Sequence, residues 1–132
     1  MDDLRAQAAA GAPDAMLALA LRLEAELDPY ADDNTEAEQE IENLLLGAAE
    51  HGLPRALAEL GSFLWHVQEN DEEALPWLLR AADLGEVDAM SLLGDIYDFL
   101  DERDTAITWY GRAAEHGDEQ AAENLDLLSR ST

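Results

Sequence analysis

Carboxylates are the side chains through which this sequence could do most chemistry. Its 132 residues include 31 Asp and Glu against 7 basic residues, all of them Arg, which gives a formal net charge of −24. Paired carboxylates can act as general acid and base, but at this density no pair stands out by its spacing. The sequence has no cysteine, which excludes disulfides and thiolate chemistry. The carboxylates therefore indicate an acidic surface rather than one catalytic pair.

Sequence signatures of enzymes and metal sites are absent. There is no glycine-rich phosphate loop, no Gly-x-Ser-x-Gly and no His-Glu-x-x-His. His51 and His116 each precede a glycine, which favours helix-terminal caps over metal ligands. Residues 32–36 offer calcium-type ligands but no glycine at EF-hand spacing. We predict that the chain is not an enzyme and needs no cofactor or metal; a hydrolase and a calcium-binding protein are the distant alternatives.

The net charge also restricts the partners. Nucleic acids and anionic membranes repel a chain of this charge, so we expect neither, and a basic protein partner is favoured. Solubility or a salt-rich habitat explains the acidity equally well. The first five residues are acidic where a secretory signal is basic, and the longest apolar stretch, 15–21, is too short to span a bilayer. We therefore expect a cytoplasmic protein that is monomeric on its own, and the absence of lysine with abundant alanine suggests a GC-rich bacterial genome.

An internal repeat organises the chain. The segment Ala-Ala-Glu-His-Gly at 48–52 recurs as Ala-Ala-Asp-Leu-Gly at 81–85 and as Ala-Ala-Glu-His-Gly at 113–117, with the glycines 33 and 32 residues apart. Ala and Leu dominate the apolar residues, which favours helix. Each repeat is predicted to be two helices closed by a glycine in the left-handed conformation. We expect an all-α chain of about seven helices.

Small residues recur inside the first helix of two repeats. Gly61 and Gly94 lie mid-helix, where glycine costs about 1 kcal/mol relative to alanine. Close approach of the paired helix would offset this cost, with Ala74 or Ala106 facing the glycine. Thr35 with Glu38 is predicted to form a capping box at the start of another helix.

The repeat defines the predicted organisation of one helical-repeat domain, 1–132. Its parts, in chain order, are an N-terminal cap, a degenerate repeat with a loop insertion, two regular repeats and a capping helix: 2–11, 12–52, 53–85, 86–117 and 118–129. Terminal caps are typical of stacked repeats.

The regular repeats carry a family pattern. In the third repeat it consists of Ala89, Leu93, Gly94, Tyr97, Ala106, Trp109, Tyr110, Ala113, Ala114, Glu115 and Gly117. This pattern resembles the Sel1-like repeat, a relative of the tetratricopeptide repeat, over about residues 8–128 and most clearly over 48–117. Acidic loops replace the family's glycine-rich loop between the helices. The resemblance implies a short right-handed α-solenoid of antiparallel helix pairs that binds proteins on its concave side.

The first helix of each repeat lines that concave side in such proteins. Projected onto this chain, the partner-binding residues are Glu24, Arg55, Ser62, Trp65, His66, Asp88, Ser91, Asp95, Asp98, Phe99 and Glu123.

Two groups within this set have alternative interpretations. Trp65 is either an exposed anchor for a partner or a side chain packed against a neighbouring helix. Asp95, Asp98 and Phe99 share one helical face, which either accepts Arg or Lys from a partner or is a solvated acidic surface.

The sequence thus predicts a non-catalytic protein–protein interaction module. Its concrete form is an acidic inhibitor of a basic partner, such as an immunity protein against a bacterial toxin. The alternative is a general adaptor or regulatory scaffold in bacterial signalling or envelope assembly, for which the acidity would be incidental.

Overall fold

A computed structural model describes residues 2–130, and these contain eight α-helices and no strand. In chain order the helices are α1 (Asp2–Ala9), α2 (Pro13–Ala25), α3 (Thr35–Glu50), α4 (Pro54–His66), α5 (Asp71–Asp83), α6 (Val87–Phe99), α7 (Arg103–Glu115) and α8 (Glu119–Arg130). The all-α prediction is confirmed. The helices number one more than about seven because the N-terminal segment forms a helix of its own.

The chain divides into two compact units, Met1–Leu60 and Gly61–Thr132. In the first unit, α2 packs against α1 and α3, and Ala8, Ala15 and Leu19 form a buried cluster. In the second unit, α6 packs against α5 and α7, and α7 packs against α8. Three-residue turns join these packed neighbours, except α2 and α3, which the longer loop 26–34 connects. Consecutive packed helices therefore form helical hairpins.

Glycines end four helical segments in the predicted way. Gly11, Gly52, Gly85 and Gly117 all have positive φ, between 78° and 96°. After α7 the Asp118 amide donates to the Ala113 carbonyl at 3.1 Å, which is the bond that closes a Schellman motif. The recurring glycine therefore ends α1, α3, α5 and α7.

The histidines before two of these glycines cap their helices. His51 Nδ1 lies 2.8 Å from the Gly47 carbonyl oxygen, and His116 Nδ1 lies 2.8 Å from that of Arg112. Each imidazole thus supplies a donor to a carbonyl in the last helical turn, where carbonyls lack partners. This geometry agrees with the predicted capping role.

The mid-helix glycines make room for a large side chain rather than a small one. A Cβ on Gly94 would lie 2.5 Å from two ring carbons of Tyr110, and one on Gly61 would lie 2.5 Å from Leu78 Cγ. The predicted close approach is present, but Ala106 as the facing residue was wrong, and Ala74 contributes only its carbonyl oxygen at 3.3 Å. Tyr110 and Leu78 each lie four residues, one helical turn, after the predicted alanine. They make the contact because the missing Cβ of the glycine leaves space that a bulky side chain fills.

The capping box predicted at Thr35 does not form. Thr35 is the first residue of α3, and its amide donates to Asp33 Oδ1 at 2.9 Å. The hydrogen bonds from Thr35 hold the pKa of Asp33 below its ordinary value. The residue two positions before Thr35 thus accepts the bond, because an aspartate side chain readily accepts from the amide two residues later.

Candidate functional site: an acidic and aromatic surface on the second unit

A groove on the second unit contains three of the predicted residues. Its volume is about 450 Å³, and its lining residues are Trp65, His66, Glu69, Asp71 and Phe99. Two aromatic rings, an imidazole and two carboxylates thus meet in one open depression, defined here as the aromatic groove. The end of α4, the loop after it, the start of α5 and the end of α6 supply these side chains.

Phe99 is an exposed apolar wall of the aromatic groove. It is the last residue of α6, and 74% of its surface is accessible to solvent. The core of the second unit is filled from other positions of the same helix, such as Leu93 and Ile96, both fully buried. A contiguous exposed apolar patch marks an interaction surface, and Phe99 supplies such surface beside Trp65 in this groove.

Trp65 is half-buried rather than fully exposed. Its ring centroid lies 4.9 Å from that of His66, with the planes tilted by 54°. His66 Nδ1 in turn lies 3.1 Å from both the hydroxyl and the carbonyl oxygen of Ser62. Trp65 therefore combines the two interpretations of the sequence: part of the ring packs on the protein and part lines the groove.

A second, smaller groove lies on the same unit. Its volume is about 270 Å³, and its lining residues are Asp95, Asp98, Tyr110, Asn124, Leu127 and Leu128. Leu127 is 65% exposed. We call this smaller groove the acidic cleft. Asp98 of the acidic cleft and Phe99 of the aromatic groove are consecutive residues of α6.

Asp95 and Asp98 differ in their surroundings although they lie one helical turn apart. Asp95 is partly buried and accepts a 2.5 Å hydrogen bond from the Tyr110 hydroxyl, whereas Asp98 is exposed. Burial raises the pKa of Asp95, and the Tyr110 hydrogen bond and the nearby His66 oppose that rise. Burial and the Asp95 carboxylate together raise the pKa of Tyr110 far above its ordinary range. Asp98 is therefore the more exposed of the two carboxylates, while Asp95 accepts the bond that holds the Tyr110 hydroxyl.

The other predicted residues lie apart from these two grooves. Asp88, Ser91 and Glu123 line neither of them. Glu24 and Arg55 belong to the first unit, and Arg55 Nε lies 3.0 Å from Glu59 on the same helix. Their place on a partner-binding surface stays a prediction.

Glu69 and Asp71 were missed by the sequence analysis. Glu69 lies in the loop between α4 and α5, and Asp71 is the first residue of α5; both were treated in the sequence analysis as part of a polar break. Glu69 has a φ of 52°, the left-handed region that non-glycine residues seldom adopt. An available signal was their position, four to six residues after Trp65.

Within residues 2–130 no group of three or more His, Cys, Asp and Glu side chains is arranged to hold a metal ion. In the same range no helix has the length and apolar character needed to cross a membrane.

Paired helices closed by positive-φ glycines define a helical-repeat protein. The crystal structure of c5321, described as a protective antigen present in uropathogenic Escherichia coli strains and displaying an SLR fold, matches 95% of this chain at 28% identity, with a TM-score of 0.80. A Sel1 repeat protein from Oxalobacter formigenes matches 94% of this chain and 95% of its own length at 31% identity, with a TM-score of 0.66. The chain belongs to the Sel1-like repeat family, which is a family of protein-interaction scaffolds.

The two similar structures differ in length. This chain spans 27% of the c5321 chain, so the description of c5321 as a protective antigen refers to a much longer protein. No protein-family model and no curated protein matches the sequence.

Proposed function

We propose that this Sel1-like repeat protein is a non-catalytic module that binds a basic segment of a partner protein on the second unit. The observation that carries the proposal is the aromatic groove, in which exposed Phe99 and half-buried Trp65 lie beside Glu69 and Asp71. Aromatic anchors surrounded by polar groups are typical of binding hot spots.

The charge of the chain supports a basic partner. A net charge of −24 attracts positively charged proteins over long range and raises the rate of encounter. Asp98 lies next to Phe99 on α6 and is exposed, so it extends the negative charge beside the apolar anchor. A partner segment that combines Arg or Lys with an apolar side chain satisfies both features.

The proposal is tested by selection from a displayed library of random short peptides. We expect peptides enriched on the wild-type protein to carry basic residues together with an apolar one, and to be lost when the selection is repeated on Phe99→Ala. Tyr30→Ala is the matched control, because Tyr30 is 92% exposed on the first unit. Enrichment of acidic peptides, or of peptides that bind Phe99→Ala equally well, would overturn the proposal.

The biological form that we propose is an inhibitor, such as a cytoplasmic immunity protein that covers the basic surface of a bacterial toxin. The net charge of −24 supports this form, because an acidic repeat scaffold is suited to cover a basic surface. The alternative is an adaptor or regulatory scaffold, for which the same groove would hold a regulated protein. The gene next to the one for this protein separates the two forms: a toxin whose activity is lost on mixing with this protein identifies an inhibitor, and a locus without a toxin gene favours the adaptor.

A further inference from the structure

We infer that the aromatic groove binds an arginine side chain of the partner in preference to lysine. The inference rests on the proposed function and narrows it from a basic segment to one type of side chain.

The walls of the aromatic groove fit a guanidinium group. Trp65, His66 and Phe99 present ring surfaces to a space of about 450 Å³. A cation over an aromatic ring is attracted by the ring's quadrupole. Arginine profits most, because its planar group stacks on a ring and is less strongly hydrated than the ammonium group of lysine.

Two carboxylates in the same groove supply the opposite charge. Glu69 makes no ion pair with any residue in the described range 2–130. Asp71 Oδ1 accepts a 3.1 Å bond from the Glu72 amide, which leaves its other oxygen for a ligand, since a carboxylate has about four acceptor positions. A carboxylate can accept two parallel bonds from one guanidinium, which lysine cannot offer.

The chain's other tryptophans show this pairing within the protein. The Arg80 guanidinium lies 5.2 Å from the centre of the Trp77 ring, and that of Arg112 lies 4.4 Å from the centre of the Trp109 ring. Trp65 is the third tryptophan, and within residues 2–130 no arginine lies over its ring. It lies in a groove with Glu69, a carboxylate that makes no ion pair within the described range. Trp65 is on a first helix, whereas Trp77 and Trp109 are on second helices, so it does not occupy their repeat position; its ring, which carries no arginine of the described chain, can take one from a partner.

His66 orients one wall of the groove. Because its Nδ1 is held at Ser62, the imidazole stays against the Trp65 ring. The indole is therefore fixed before binding, which lowers the entropy cost of ordering the site around a ligand.

The test uses three short capped peptides of one sequence, rich in Ala and Leu, that differ only in carrying arginine, lysine or citrulline at the same positions. Their affinities for the full chain are measured by isothermal titration calorimetry at low salt. We expect the arginine peptide to bind roughly tenfold more tightly than the lysine peptide, and the neutral citrulline peptide to bind much more weakly than both.

Variants assign this preference to the groove. Phe99→Ala and Glu69→Gln should each remove most of the difference between arginine and lysine, whereas Tyr30→Ala and Glu115→Gln should preserve it, since both control residues are exposed and line neither groove. Circular dichroism checks that each variant is folded.

The outcomes separate the two proposals. Equal affinity for the arginine and lysine peptides would overturn the inference and leave the proposed basic partner intact. A citrulline peptide that binds as tightly as the arginine peptide, or no binding of either basic peptide, would overturn both.

Discussion

The Tyr110 hydroxyl donates a 2.5 Å hydrogen bond to Asp95 Oδ1, which joins α7 to α6 beside the candidate binding surface. The ring of the same tyrosine occupies the space left by Gly94. One side chain thus explains both a glycine in mid-helix and a carboxylate that is partly withdrawn from solvent. Tyr110 is 3% exposed, so its contacts belong to the packing of the second unit.

We predict a pH dependence of stability that originates at Asp95. Burial raises its pKa above the ordinary 3.8, so the folded state binds this proton more tightly than the unfolded state. The contribution of Asp95 to the free energy of unfolding is therefore fully present below pH 3.8 and is lost as the pH rises through the raised pKa. Urea denaturation of the wild type and of Asp95→Asn over this pH range isolates the effect, since the other carboxylates cancel in the difference.

The unfolding free energy of the wild type minus that of Asp95→Asn should fall as the pH increases. Tyr110→Phe should make the fall steeper, because it removes a hydrogen bond that stabilises the charged carboxylate. A difference that grows with pH would show that the pKa of Asp95 is lowered instead.

We predict opposite effects of alanine at two helical glycines of the second unit. Gly94→Ala should lower the free energy of unfolding by about 1–3 kcal/mol, because the new methyl group would overlap the Tyr110 ring. Gly111→Ala is the control: nothing lies within 4 Å of its added Cβ, and alanine should raise stability by up to about 1 kcal/mol through helix propensity. Chemical denaturation measures both, and equal effects would mean that the Gly94 contact does not constrain the helix.

The sequence was sufficient to predict the all-helical fold and the ends of three helices. The spacing of the glycines predicted where α3, α5 and α7 stop, because the left-handed conformation that closes a helix is a local requirement that glycine meets without strain. It could not identify Tyr110 as the partner of Gly94, since that contact depends on the separation and rotation of two helices. The start of α3 at Thr35 was predicted correctly, but the capping box there was wrong for a similar reason: the sequence does not show that the Thr35 amide bonds to the side chain of Asp33.

We predict that a glycine at the loop before α7 stabilises the protein. Asp101 has a φ of 62°, and this left-handed conformation costs a non-glycine residue roughly 1–2 kcal/mol. Asp101→Gly should therefore raise the free energy of unfolding by about 0.5–1 kcal/mol, since glycine's greater backbone entropy offsets part of the gain. The reciprocal variant Gly85→Ala, at a φ of 92° with no atom nearby, should lower it by about 1 kcal/mol. Thermal or urea denaturation measures both changes. Equal unfolding free energies for Asp101→Gly and Gly85→Ala would contradict the idea that Asp101 is strained.

The candidate site was predicted in part. Trp65, His66 and Phe99 line one groove as residues of neighbouring first helices, because the repeat places equivalent positions side by side. Asp95 lines the smaller groove and also accepts a hydrogen bond from Tyr110 within the fold, and its contact with a partner stays a prediction. Glu69 was missed because its contribution depends on the path of a loop, which hydrophobic periodicity does not describe.

We predict that charge governs association with the basic partner and that the aromatic anchor governs dissociation. Raising the salt concentration should slow association, and Asp98→Asn should weaken that salt dependence, because Asp98 is the exposed carboxylate beside Phe99. Trp65→Ala should mainly speed dissociation. Stopped-flow or surface plasmon resonance kinetics separate the two rates, and salt-independent association would contradict electrostatic steering.

The loss of binding free energy on Phe99→Ala, compared with Tyr30→Ala, tests most directly whether the groove of the second unit is the binding site. For the partner segment obtained by selection, we predict a loss of about 2 kcal/mol or more for Phe99→Ala, and a change below about 0.5 kcal/mol for Tyr30→Ala. Isothermal titration calorimetry gives both values. Unchanged affinity of Phe99→Ala, together with loss of binding on Glu73→Gln or Arg80→Ala, would show that the partner binds to the second helices of the repeats and would contradict the site.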